Sequence, residues 1–303
     1  MLTLALDIGG TKIAVGLVDS SGELVHKATE PTPKSKRPEQ VWAVVEHMIA
    51  DAIKVAEGAV RAVGIGSAGP IDANTGTVSP VNIAGWRDFP LRDLVVAAVP
   101  DVPVLLAGDA ICMALGEHWR GAGRGANFLL GMVVSTGVGG GLVLDGAPYQ
   151  GRTGNAGHVG HVVVELDGQL CSCGGHGCVE TFASGPWMTR WALANGWAAP
   201  PGADAATLGE AADAGDPVAR KAFHRGATAL AAMIASVGAV CDLDLVVIGG
   251  GVANSGRTLF DPLEAALANY AGLNFIRGLR VVPAALGGDA GLIGAAALVS
   301  SAR

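Results

Sequence analysis

Asp7-Ile8-Gly9-Gly10-Thr11-Lys12 lies between the apolar run Leu4-Ala5-Leu6 and the alternating stretch Ile13 to Asp19, which closes on Ser20-Ser21-Gly22. Strand, glycine-rich reversal and second strand spell a hairpin. The pattern recurs downstream, where Leu129 to Val134 enters Ser135-Thr136-Gly137-Val138-Gly139-Gly140-Gly141, and Leu142 to Leu144 closes on Asp145-Gly146. Two similar hairpins predict two similar halves. Outward from the first, the sequence predicts a helix over Pro38 to Glu57, strands over Val60 to Gly66 and Val102 to Leu106, and a helix over Asp109 to Trp119. The second half predicts a long helix opened by Asp216-Pro217 and running to near Val240, a strand over Leu243 to Ile248 and the loop Gly249-Gly250-Gly251. A helix near Thr258 to Ala268 and a last helix from about Asp289 follow. That mixture is α/β. The Pro/Gly/Ala-rich stretch Ala198 to Ala206 reads as a mobile surface loop.

Glycine admits positive φ and lets backbone N–H groups approach an anion with no Cβ in the way, so the first turn can wrap a phosphate. Thr11 and Lys12 add a hydroxyl and a charge; the alternative is a tight structural turn. Recurrence in Thr136-Gly137, with Gly249, Gly250 and Gly251 after a strand, favours a nucleotide site. Neither turn is a Walker A loop. Gly64-Ile65-Gly66-Ser67-Ala68-Gly69 spells a dinucleotide fingerprint, but Pro70-Ile71-Asp72 follows it where a helix is required.

His161, Cys171, Cys173 and Cys178 form a run threaded by Gly174, Gly175 and Gly177. Three thiolates and an imidazole suit tetrahedral zinc in a structural role. A disulfide with a surface histidine is the alternative, and an odd total of five cysteines points away from it. His176 is a competing ligand by spacing. Cys112 and Cys241 sit in apolar stretches and read as buried small hydrophobes.

The 303 residues, half of them hydrophobic, can bury a large core and build two domains. The longest apolar stretches, Ala227 to Val240 and Ala290 to Val299, are Ala/Gly-rich and read as buried helices, with no membrane span. The first residues read as a strand and lack the basic flank of a secretory leader, so a cytoplasmic location is expected. A net charge of −7 and a pI near 5.4 argue against a nucleic-acid partner.

These motifs occur, in order, in the ROK family of repressors, open reading frames and sugar kinases: the Asp7–Lys12 turn, Gly64-x-Gly66-x-x-Gly69-x-Ile71-Asp72, Ser135–Gly141, Gly157-His158-Val159-Gly160-His161, and the cysteine run ending in Glu180. The chain resembles an ATP-dependent hexose kinase of that family. The resemblance implies a duplicated actin-like, ribonuclease-H-type α/β fold of two domains with an interdomain cleft. Expected domains are 1–108, with a C-terminal helix 288–303 packing back on it, and 109–287, carrying the zinc-bound loop. It further implies Asp109 as general base, Asp7 as the group that orients Mg²⁺ with ATP, and phosphate binding by Gly9, Gly10, Thr11, Lys12, Thr136, Gly137 and Gly249 to Gly251. Gly69, Asn82, Asp109, His158, His161 and Glu180 are the implied sugar contacts. Taken singly, Asp109 is an ordinary helix cap, Asn82 a loop asparagine, Glu180 a helix-start acid and Trp86 a packing residue.

Two positions depart from the family pattern. Ala107-Gly108-Asp109 replaces Glu-Asn-Asp, removing an amide, and His158 replaces the glutamate of family glucokinases, as in family N-acetylmannosamine kinases. A glucose kinase is expected, with an N-acetylmannosamine kinase next and a non-catalytic sugar sensor as the alternative of another class. A DNA-binding repressor is not expected, since the first turn already starts at Asp7. ATP, a hexose and a homodimeric or homotetrameric assembly are the expected partners.

Overall fold

The computed structural model describes residues 1–300; residues 301–303, the end of the expected last helix, lie outside the described residues. The first sheet contains β1 (Leu2–Ile8), β2 (Lys12–Asp19), β3 (Leu24–Pro31), β4 (Val60–Ser67) and β7 (Val104–Gly108), in the order β3-β2-β1-β4-β7. Its first three strands form an antiparallel meander, and β4 and β7 add in parallel. A small hairpin of β5 (Ile71–Asp72) and β6 (Thr77–Val78) follows β4, so the fingerprint-like glycines lead to a strand and no cofactor helix. The second sheet contains β8 (Phe128–Val134), β9 (Val138–Leu144), β10 (Ala147–Tyr149), β11 (Leu245–Gly249) and β12 (Arg280–Pro283), ordered β10-β9-β8-β11-β12. Here too a meander precedes parallel strands, β8 beside β11 and β11 beside β12. The repeated hairpin in the sequence thus marks a repeated sheet.

Nine helices complete the described residues: α1 (Pro38–Ala56), α2 (Leu91–Ala98), α3 (Asp109–Arg120), α4 (Glu180–Ala183), α5 (Gly185–Ala194), α6 (Ala205–Asp213), α7 (Pro217–Cys241), α8 (Arg257–Tyr270) and α9 (Ala290–Ser300). Proline at the first turn and a buried stripe of Val41, Val45, Met48, Ile49 and Ala52 explain α1. Asp216 caps α7 by accepting from the N–H groups of Val218 and Ala219. At 25 residues α7 passes a length-and-hydropathy test for a membrane span that the sequence reading did not credit. More than half of its apolar window is buried in the protein, where α7 packs on α8, α6, α5 and α4, which marks a core helix. Trp86 is fully buried, stacked on Phe89, with its indole N–H donating to the Pro38 carbonyl, so it is a packing residue.

The chain divides into two compact units, and their limits differ from a boundary at 108. Unit one comprises Met1–Gly125, Gly141–Gly157 and the chain from Ala285; unit two comprises Ala126–Gly140 and His158–Ala284. Helix α3 belongs to unit one because α9 packs closely along it and along β4 and β1. Glycine makes this approach possible: a Cβ at Gly294 would overlap the Cys112 carbonyl, one at Gly116 the Ala290 carbonyl, and one at Gly64 the Ala295 carbonyl. Gly141 lies against the backbone of Ala110 and Ile111 in the same way, which is why the glycine run after Ser135 continues as strand β9 where a longer turn was expected.

Gly294→Ala is therefore expected to destabilise the protein by about 2 kcal/mol or more, since backbone and not a flexible side chain opposes the new methyl group. Urea unfolding with an unchanged m-value and a lower midpoint checks this.

Candidate active site

In unit one, the turn after β1 is closed by the Gly9 N–H donating to the Lys12 carbonyl (3.0 Å), and the Thr32 hydroxyl donates to the Gly9 carbonyl (2.6 Å). Thr11 and Lys12 are exposed on it. The Asn82 side chain packs on Gly10, occupying the space where a Cβ would be, so a residue far along the chain is brought onto the turn. Gly69 lies in the loop after β4, where its carbonyl accepts from the Val81 N–H (3.4 Å). Asp7 is the second-last residue of β1, and Asp109 begins α3 directly after β7.

These two carboxylates are the electrostatic centre of unit one. Burial pushes Asp7 up to about 6, the Asp109 charge adds to the rise, and Lys12 and Lys27 oppose it. Burial likewise pushes Asp109 up to about 6, against the Ala110 N–H, which donates to its Oδ1 at 2.7 Å. Gly291 of α9 roofs Asp7 so closely that a Cβ there would lie 2.5 Å from Oδ2. Lys27, which reading from sequence missed, pairs with Asp289 (2.5 Å). Gly108 has extended backbone and nothing within 4 Å of the place a Cβ would take.

Unit two carries the second turn. The Ser135 N–H donates to the Gly137 carbonyl (2.8 Å), with Thr136 at the tip. Gly250, at φ +98°, lies on the Val134 backbone, and Gly251 approaches the Ser135 hydroxyl, so Gly249 to Gly251 border this turn. Glu180, at the start of α4, accepts from the Val138 N–H through Oε2 (2.9 Å) and from the Ser172 hydroxyl through Oε1 (3.4 Å). One carboxylate thus joins the second glycine turn to the cysteine loop.

His161, Cys171, Cys173 and Cys178 converge, with their ligand atoms all within 4.8 Å of one another. All five cysteines are free. Cys173 Sγ and Cys178 Sγ are 3.7 Å apart, and Cys171 Sγ lies 3.7 Å from His161 Nδ1. Those separations far exceed an S–S bond and match the edges, about 3.6 to 3.8 Å, of a tetrahedron with ligands about 2.0 to 2.3 Å from a central ion. The four side chains could hold a metal; His176 is not in the group. His158 stands near it, its ring centroid 6.4 Å from that of His161.

A cavity of about 520 Å³ adjoins the second turn, lined by Ser135, Thr136, Thr189, Arg190, Asp204 and Gly251 among others. The Thr189 hydroxyl in its wall is buried without a hydrogen-bond partner, as expected where a ligand group completes the site. Sequence reading missed this wall. Thr189 and Arg190 belong to α5, and Asp204 caps α6; no motif links them, and only tertiary packing puts them beside the turn.

With this geometry established, comparison with known proteins places the chain. A family model for the ROK family matches residues 3–302. The chain belongs to the ROK family. It is similar to the glucokinase of Thermotoga maritima, 36% identical over 98% of this chain and 96% of the relative. It is 38% identical to the N-acetylmannosamine kinase of Yersinia pestis, over 97% and 96% of the two chains. The crystal structure of a ROK family glucokinase from Streptomyces griseus in complex with glucose and AMPPNP superimposes with a TM-score of 0.81 at 36% identity, covering 98% of this chain and 99% of that one. The fold is the actin-like two-domain fold of ROK sugar kinases, as the sequence led one to expect.

The buried carboxylates carry a testable cost. A carboxyl whose folded-state pKa is raised binds its proton more tightly than the unfolded chain does, so its ionised form destabilises the protein above about pH 6, and the penalty is gone near pH 4. In the ligand-free protein, Asp109→Asn should therefore raise the unfolding free energy at pH 8 by on the order of 1 to 2 kcal/mol, after allowing for the lost charge at the helix start. The gain should vanish as the pH falls to about 4. Urea unfolding at both pH values measures it.

Proposed function

We propose that the protein is an ATP-dependent hexose kinase that transfers the γ-phosphate to the 6-hydroxyl of glucose. What supports this most directly is the half-buried pair Asp7 and Asp109 beside the Gly9–Lys12 turn, in a chain of the ROK family. Asp109, held at the strand-to-helix junction, accepts the proton of the attacking hydroxyl; its raised pKa brings proton affinity closer to neutral, where a general base is useful. The transition state of phosphoryl transfer is loose, so alignment and charge neutralisation do most of the work. Backbone N–H groups of the two glycine turns and the Lys12 ammonium hold phosphate oxygens, and Asp7 would orient a hydrated Mg²⁺. Mg²⁺ bound with ATP supplies neutralisation of the triphosphate charge.

The cavity walled by Thr189, Arg190 and Asp204 would take the nucleoside part of ATP. Gly69, Asn82, His158, His161 and Glu180 would contact the sugar. The cysteine group would hold one structural zinc, which keeps His161 and Glu180 in place. A cytoplasmic location fits these substrates. A second reading, an N-acetylmannosamine kinase, is favoured by the Yersinia pestis relative and by His158. ADP release in Mg-ATP with glucose, mannose and N-acetylmannosamine decides between them: a strong preference for N-acetylmannosamine overturns glucose, and silence with all three overturns the kinase.

Asp109→Asn should lower kcat by at least about two orders of magnitude while nucleotide affinity, measured by calorimetry, stays near wild type. A variant with near-native turnover removes Asp109 from the role of base.

Elemental analysis should find one zinc per chain. Cys173→Ser should lower both zinc content and sugar affinity, because the loop that binds the metal presents the sugar contacts. Full activity in zinc-free protein would overturn the link between metal and sugar.

A further inference from the structure

A second cavity, of about 300 Å³, lies in unit two among Thr181, Trp187, Arg190, Trp191, Asn195 and Arg225, with Gln169 of the cysteine-loop segment also in its wall. Two of these side chains are guanidinium groups laid on aromatic rings. Arg190 Cζ is 4.3 Å from the centroid of Trp187, and Arg225 Cζ is 4.0 Å from that of Phe182 and 5.8 Å from that of Trp191. Stacking fixes the plane of a guanidinium and leaves its in-plane N–H groups available to a planar or tetrahedral anion. Among the described residues, neither arginine forms an ion pair with a carboxylate. Nη1 of Arg225 is buried and has no hydrogen-bond partner. Burial also pulls the Arg225 pKa down, with the Glu165 charge opposing. A half-buried cation with an orphan donor beside a cavity is the complement of a missing negative charge.

The neutral groups around it suit hydroxyls. The Thr181 hydroxyl donates to the Cys178 carbonyl (2.8 Å) and keeps its lone pairs for a donor. Asn195 donates through Nδ2 to the Trp191 carbonyl (2.8 Å), leaving its amide oxygen as an acceptor. The groove around Arg220, Lys221, His224 and Arg257 holds more basic groups, but both of its arginines are engaged: Arg257 pairs with Asp261 and Arg220 donates to the Ala212 carbonyl. Arg190, in contrast, lines both this cavity and the larger one beside the Ser135–Gly137 turn.

We propose that the cavity around Arg190 and Arg225 is a second ligand site, for a small phosphate monoester of a polyol, with the phosphate against the two guanidinium groups and the hydroxyls against Thr181 and Asn195. Sharing Arg190, its occupancy alters nucleotide affinity; that linkage alone rests on the kinase reading. The test is titration of the full-length protein with glycerol 3-phosphate, followed by calorimetry and by tryptophan fluorescence, since Trp187 and Trp191 line the site. Saturable binding with a fluorescence change is expected, persisting in the presence of a non-hydrolysable ATP analogue. Arg225→Gln should weaken it at least about tenfold, and Asn195→Asp, at an exposed helix end, should do the same by repulsion; because that change also removes the bond to the Trp191 carbonyl, the urea midpoints of both variants are measured alongside. The site is overturned by absence of saturable binding, by unchanged affinity in both variants, by complete displacement by the nucleotide analogue, or by succinate binding as tightly as the ester. An analogue affinity that does not respond to glycerol 3-phosphate overturns the linkage through Arg190.

Discussion

The close approach of α9 to α3 and to strands β4 and β1 is the constraint on which unit one depends. Side chains cannot be interposed there: at Gly64, Gly116 and Gly294 the backbone of one element occupies the space that a Cβ of the other would need. Asp7 and Asp109 sit half-buried near the end of β1 and just after β7, where burial raises the proton affinity of both. Gly291 continues the same face of α9 onto the Asp7 carboxylate. Burial is the main cause of the raised proton affinity of both acids, and for Asp7 the nearby Asp109 charge adds to it. A protein that hydrated these groups better would be more stable at neutral pH.

In unit two, Glu180 plays the connecting part. Its carboxylate accepts from the backbone of the second glycine turn on one side and from a hydroxyl of the cysteine loop on the other. This loop is rich in glycine and short of apolar anchors, and it gathers the ligand-type atoms of His161, Cys171, Cys173 and Cys178 within 4.8 Å of one another. Whatever fixes the cysteine loop therefore also fixes one N–H of the turn. The two glycine turns differ in this respect: the first is braced by Thr32 and Asn82, residues of its own unit's strands and loops, and the second by a carboxylate borrowed from the cysteine loop.

Much of this was legible in the chain. The two strand–glycine–strand patterns announced the duplicated sheets, since alternation and apolar runs are local signals that tertiary context seldom reverses. The spacing of His161, Cys171, Cys173 and Cys178 announced a ligand group because few other reasons bring three thiols and an imidazole so near in sequence. Asp216-Pro217 named the start of α7 through a cap whose hydrogen bonds reach only three residues. Elements with weak local signals escaped: β3 is an edge strand with most of its residues exposed or half-exposed, and α6 begins at Ala205, inside a stretch read as loop from its Pro and Gly content.

Other features were decided only by the folded chain. The sequence by itself determined the fold class, the turns and the cluster of three cysteines and a histidine, because each depends on residues near one another in sequence and on their own stereochemistry. Tertiary structure alone decided that α3 joins unit one, that α5 and α6 wall the cavity beside the second turn, and that burial raises the proton affinity of Asp7 and Asp109. The physical reason is that desolvation and close packing are properties of what surrounds an atom. Those surroundings are assembled from Gly64, Gly116, Gly291 and Gly294, residues that are far apart in the chain and, as glycines, carry no side-chain signal of where they will meet.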